Sequence, residues 1–172
     1  MITRDYLRVM SRYNRWQNSE VLIAAASLSE KDRMKDRGAF WKSIQGTLSH
    51  IYWADRIWLS RFDLTDPPNV PLNQSDRFVD DFNELGRLRI DLDDLLVSWC
   101  DDYKGGPITG NLEWYSGAIQ KQAKAPLGVI FAHFFNHQTH HRGQIHALIT
   151  AAGGGTADTD LFLMPKELWP PQ

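Results

Sequence analysis

Residues 126–155 read PLGVIFAHFFNHQTHHRGQIHALITAAGGG, and this stretch decides the fold. Pro126 suits the first turn of a helix, and Gly153-Gly154-Gly155 is a strong stop. Between them the apolar residues recur at helical spacing. With ~100° of rotation per residue and His133 at zero, Ile130 and Leu148 fall near ~60°, Phe134 near ~100°, and Leu127 and Ile145 near ~120°. Five of the six histidines, His133, His137, His140, His141 and His146, lie on this one helix. On the same wheel His137 (~40°) and His141 (~80°) fall inside the apolar stripe, His133 and His140 (~340°) flank it, and His146 (~220°) faces away.

Working outward, three more segments carry a helical period. Tyr6, Met10, Tyr13, Gln17 and Val21 mark a first helix, with Thr3 as its N-cap and Asp5 in its first turn. A second helix is expected from Phe40 to Phe62, before Pro67, Pro68 and Pro71 break the chain. A third is expected from about Ser75, carrying Phe78, Phe82, Leu85, Leu92, Leu96 and Trp99 to the stop at Lys104-Gly105-Gly106-Pro107. Leu112 and Trp114 alternate with Glu113, which predicts a small β-hairpin turning at Ser116-Gly117. The tail after Gly155 is expected to pack on the helices. The fold class is therefore all-α: a four-helix bundle with a hairpin between its third and fourth helices, in one domain over 1–172.

Composition bounds the partners. The chain has 172 residues, 42% hydrophobic and 23% charged, with 20 aromatic residues counted as 8 Phe, 7 Trp and 5 Tyr, enough bulk for a core. A balance of 19 basic against 21 acidic residues gives no electrostatic case for nucleic acid or an anionic membrane. The longest apolar run, Val21–Leu28, is far short of the ~20 residues of a membrane span, and the charged opening MITRDYLRVMSRYNRW is unlike a signal peptide. A single cysteine, Cys100, excludes internal disulfides and CxxC motifs, and the expectation is a reducing cytoplasm.

The histidines carry the chemistry. Imidazoles at i and i+4 share a helix face and can share a cation. A third ligand has to come from another helix, and His50, at the edge of the second helix's apolar stripe, is the remaining histidine. Three neutral imidazoles with an open position suit Zn²⁺, Ni²⁺ or Fe²⁺. The competing reading is a set of hydrogen-bonded core histidines. No H-E-x-x-H, Glu-x-x-His, phosphate loop or G-x-S-x-G elbow occurs. Cys100 follows Trp99 on an amphipathic helix and reads as inert.

The segment FNHQTHHRGQIHALITAAGG at 135–154 resembles the signature helix of the DinB/YfiT-like family of metalloenzymes. SRYNRWQN at 11–18, SIQGTLSHIYWADRIWL at 43–59 and DTDLF at 158–162 resemble its other motifs, in the right order. The resemblance implies an up-down-down-up four-helix bundle, commonly a homodimer, and a divalent metal held by His50, His137 and His141. Asp55, Arg142, Asn14 and Gln138 also match motif positions. Asp55 is expected to orient a ligand imidazole or to pair with Arg142, and Asn14 and Gln138 to line the pocket or bond across the bundle.

Family members of this kind include transferases or isomerases that use low-molecular-weight thiols such as bacillithiol or mycothiol. By that resemblance the metal would hold a cofactor thiol as thiolate, ready to attack an electrophilic small molecule. Metal-assisted hydrolysis is the alternative on the same site. A non-catalytic metal-binding protein of the stress response is the third reading.

Overall fold

The computed structural model describes residues 2–103 and 108–171. The main helices are α1 (Arg4–Ala26), α3 (Ile44–Ser60), α4 (Phe82–Asp102) and α5 (Leu127–Ala151). A short α2 (Glu30–Met34) links the first two. Each start but one has a side-chain cap. Thr3 accepts from the Tyr6 N–H, Ser43 from Gly46 and Asp81 from Glu84, satisfying amides that the helix itself leaves free. Helix α5 instead grows directly out of the hairpin, behind Pro126.

Helix–helix partners define the order. α1 packs against α4 and α5, and α3 packs against the same two, so α1 and α3 stand across a diagonal. Arg12–Asp101 and Arg15–Asp94 run α1 antiparallel to α4. Tyr6–Phe135 and Asn14–Arg142 run α1 parallel to α5. Asp55–Arg89 and Phe62–Trp99 run α3 parallel to α4. The result is an up-down-down-up bundle with Leu7, Ile44, Ile51, Leu59, Leu85, Leu96, Ile145 and Ile149 at its centre.

Two helix starts differ from expectation. α3 begins at Ile44, not Phe40. Lys42, in the left-handed region at φ 65, turns the chain back on Ala39, and Ser43 then caps the helix. Phe40 is consequently 78% exposed and not part of the core. α4 begins at Phe82, not Ser75, because the Asp81 carboxylate caps there and Leu72–Arg77 winds into a separate 3₁₀ turn. The two ends are orthodox. Asp63 (φ 58) and Gly153 (φ 83) each reverse the chain while Leu64 and Gly154 donate back to Leu59 and Ile149. The expected stop at Lys104-Gly105-Gly106-Pro107 lies outside the described residues.

Strands β1 (Asn111–Ser116) and β2 (Lys121–Pro126) form the expected hairpin, with Trp114 opposite Ala123. Its turn spans four residues, 117–120, rather than closing at Ser116-Gly117. The tail runs along α1, where the Tyr13 hydroxyl and the Gln17 amide donate to the carbonyls of Thr159 and Asp158.

A polar layer crosses the bundle core. Arg89 donates to Asp55 at 2.5 Å and grips Asp93 through Nε and Nη2 at 3.1 and 2.8 Å. Asn18 and Asn14 of α1 donate to Asp93, and Arg142 of α5 donates to both asparagines. Removing one partner from a buried ionic network strands the other charge. Asp93→Ala should therefore cost about 3–5 kcal/mol, measured by urea unfolding. A loss below about 1 kcal/mol, the worth of a surface pair, would show that Arg89 does not depend on it.

Candidate metal centre

Helix α3 supplies His50 and helix α5 supplies His137 and His141. The antiparallel crossing of these helices brings the three rings together, with one ring nitrogen of each within 4.8 Å of the others. The Nε2 atoms of His50 and His137 are 3.4 Å apart. That is roughly the edge of a tetrahedron drawn around an ion with ~2.1 Å bonds to nitrogen. Two ring contacts complete the cluster: His50–His141 at 4.7 Å and His137–His141 at 4.5 Å between centroids.

Two of the rings are held through their far nitrogens. His50 Nδ1 lies 2.8 Å from the Ser75 hydroxyl, and His141 Nδ1 lies 2.7 Å from Gln144 Oε1. The Gln144 carbonyl oxygen asks for Nδ1–H on His141 and the Ser75 hydroxyl can accept the same from His50; with Nδ1 protonated, Nε2 is the free lone pair, the usual arrangement behind a ligand imidazole. Gln144 stands three residues after His141 on the same helix, a spacing legible in sequence. Ser75 sits in the 3₁₀ turn far along the chain, and no local pattern announces it. Trp41 and Trp53 close the site from two sides, stacked on His50 at 4.0 and 6.2 Å. The close approach of the Trp41 segment needs Gly46, where a Cβ would sit 2.6 Å from the Trp41 carbonyl oxygen.

Burial keeps the cluster neutral. His50 is 3% exposed and His141 7%, while His137 is half-buried. Burial, reinforced by the neighbouring imidazoles, drives His50 down to about 2 and His137 to about 3. His141 is lowered too, burial outweighing the upward pull of Gln144. Neutral imidazoles with free lone pairs are the form a divalent cation requires. The donor set thus fits such an ion. Nitrogen ligands without thiolate or carboxylate suit Zn²⁺, Ni²⁺ or Fe²⁺.

The remaining expected residues fall in two places. His146 turns away and pairs with Thr156 at 2.6 Å. His140 is exposed, with its edge on His141, and His133 packs against Trp58. Asp55, Asn14, Gln138 and Arg142 form the polar layer beside the cluster. Asp55 pairs with Arg89, not Arg142, because α4 lies alongside α3 in parallel while Arg142 reaches across to α1. Neither does Asp55 orient an imidazole; Ser75 and Gln144 do so. Gln138 is fully buried against Asp55 without completing a well-formed hydrogen bond. Arg89 and Asp93 escaped sequence reading, although their i, i+4 spacing beside Leu85, Leu92 and Leu96 places both on the apolar face.

This bundle with three clustered histidines defines a class of helical protein whose neutral imidazoles could hold a cation. The DinB family model matches residues 1–168, and the chain belongs to the DinB family. It is similar to the protein DinB of Bacillus subtilis (strain 168), 24% identical over 163 residues that cover 92% of this chain and 93% of that one. No solved structure matches the chain.

A histidine kept neutral by the fold takes up no proton at a pH where the unfolded chain, near ~6.5, already does. The metal-free protein should therefore be most stable above about pH 6.5 and weaken as pH falls from there toward the depressed native values. At pH 5 the His50 contribution alone should reach about 2 kcal/mol. Urea midpoints at pH 7.5 and 5.0 check this: wild type should lose that much more than His50→Gln. Equal losses would mean that His50 protonates in the folded state.

Proposed function

We propose that this chain is a metal-dependent transferase in which His50, His137 and His141 hold a divalent cation, zinc, nickel or iron, and an external low-molecular-weight thiol of the bacillithiol or mycothiol type attacks an electrophilic small molecule. The observation that carries this reading is a cation site without a protein nucleophile beside it. Cys100 is buried, and burial pushes its thiol up to about 12. When bound, the cation would lower the pKa of a thiol or water at its open position.

The choice of thiol over water follows from what the chain supplies. Among the described residues no carboxylate hydrogen-bonds any of the three imidazoles, and Asp55 is taken by Arg89. A carboxylate general base is thus missing among the described residues. A thiol starts near ~8.5 and needs little help to ionise, whereas water starts near ~15.7. Ser75 and Gln144 stand behind two of the imidazoles, where they can support the ligating tautomer. Trp41 and Trp53 keep water from the His50 ring.

The reading goes with a homodimer working in a reducing cytoplasm, with neither nucleic acid nor membrane as partner. Its supports are the family resemblance, the near balance of charge, and the fact that no described helix is long and apolar enough to cross a membrane.

Elemental analysis after zinc loading and desalting tests the centre. Wild type should carry about one ion per chain. His50→Ala, His137→Ala and His141→Ala should lose it, while His146→Ala should keep it. Loss from all four alike would sink the assignment. Turnover of chlorodinitrobenzene with bacillithiol should follow the metal through the same series. Hydrolysis of p-nitrophenyl acetate without thiol would point to a hydrolase, and metal without either activity to a non-catalytic binding protein.

Ser75→Ala provides a finer check. Loss of the partner behind His50 should weaken zinc affinity roughly 10–100-fold in a chelator competition, with the fold intact by circular dichroism. Unchanged affinity would show that Ser75 does not position the ring.

A further inference from the structure

The end of α3 carries a guanidinium that has no polar side-chain partner among the described residues. Arg61 sits half-buried between two indoles, its Cζ 4.0 Å from the Trp58 ring centre and 5.2 Å from that of Trp114. Arg12, Arg89 and Arg142, the fully buried arginines, all donate to side-chain oxygens. The Arg61 side chain, among the described residues, donates to none. The helix end does not explain it. The terminal carbonyls of Leu59 and Ser60 are already taken by the Leu64 and Asp63 amides. A planar fork of five donors, half-buried between two indoles and without a protein acceptor among the described residues, is a seat for an oxyanion.

Its position points toward the metal centre. His133 packs on Trp58 with centroids 5.1 Å apart and lies 5.7 Å from His137. Trp114 comes from β1, so the hairpin builds one wall of this slot. A single guanidinium matches a single charge, and the hairpin's Lys124 is engaged by Glu113 at 2.6 Å. Flat indoles on two sides favour a planar head with an apolar body over a compact, doubly charged one.

We propose that Arg61, framed by Trp58, Trp114 and His133, seats the carboxylate of an organic acid whose apolar body lies along the indoles toward the three-histidine centre. The direction of the body rests on the metal-centre reading; the carboxylate seat does not.

The metal-free protein tests the seat by itself. Benzoate is titrated while the Nε–H signals of arginine and tryptophan are followed by ¹H–¹⁵N NMR. Saturable shifts are expected at Arg61, Trp58 and Trp114, with none from the neutral isostere benzamide. Arg61→Gln should weaken benzoate binding roughly tenfold or more, the worth of a charge-assisted pair. Arg61→Lys, which keeps the charge and loses the fork, should fall between. Absence of a saturable shift at Arg61, or benzoate binding unchanged in Arg61→Gln, overturns the seat. Inorganic phosphate binding as tightly as benzoate overturns the choice of a carboxylate. Zinc uptake is measured on the same samples: benzoate binding without zinc sinks the metal centre alone, and zinc uptake without benzoate binding sinks the seat alone.

Discussion

Arg89 is fully buried, and its charge stays in the core because Asp55 and Asp93 hold it from two directions. Burial opposes the charged form of all three groups, so the arrangement holds only with complete geometry. That demand fixes the register of α4 against α3. The Asn14 and Asn18 amides then tie α1 to the same carboxylate, and Arg142 ties α5 to the asparagines. One polar layer thus sets the axial position of all four helices. His50 lies little more than a turn before Asp55 on α3, and His137 and His141 flank Gln138 on α5. The cluster can close to 3.4 Å between ring nitrogens because the layer beside it leaves the helices little freedom to slide.

The two polar assemblies obey opposite electrostatic rules. In the layer, opposite charges and amides satisfy one another, and the network is inward-facing and complete apart from Gln138 and one Asp55 oxygen. In the cluster, like groups face each other with no anion to pair them, and burial leaves them neutral. Three lone pairs converging without a carboxylate form a site that is electrostatically open to a cation. The pairing of Asp55 with Arg89 keeps that carboxylate in the layer.

Much of this was legible in the sequence because helices repeat. The wheel of residues 126–155 separated His137 and His141 from His146, and the structure places them so. Caps at Thr3 and the stop at Gly153 obeyed local rules. What the sequence hid is set by contacts between distant segments. Phe40 has the spacing of an α3 core residue, yet Lys42 reverses the chain before the helix starts. Ser75 reads as a helix start, but its hydroxyl belongs to His50, 25 residues earlier. Asp55 had a plausible partner in Arg142, and only the parallel neighbouring of α3 and α4 shows why Arg89 takes it instead.

The hairpin follows from the same topology. Helices α4 and α5 do not stand side by side, so the chain leaving α4 has to cross an end of the bundle before α5 can begin. A loop making that crossing would expose backbone amides over the apolar ends of α3 and α5; a two-stranded ribbon pairs them instead. Its alternation then turns Leu112 and Trp114 toward the helices, and Trp114 reaches the Trp58 ring at 5.5 Å. The connection thus becomes a wall, extending the aromatic surface from the histidine cluster past His133 to Arg61. The three-histidine cluster stands at one end of this surface and the Arg61 guanidinium at the other, with the Trp58 and Trp114 indoles beside it.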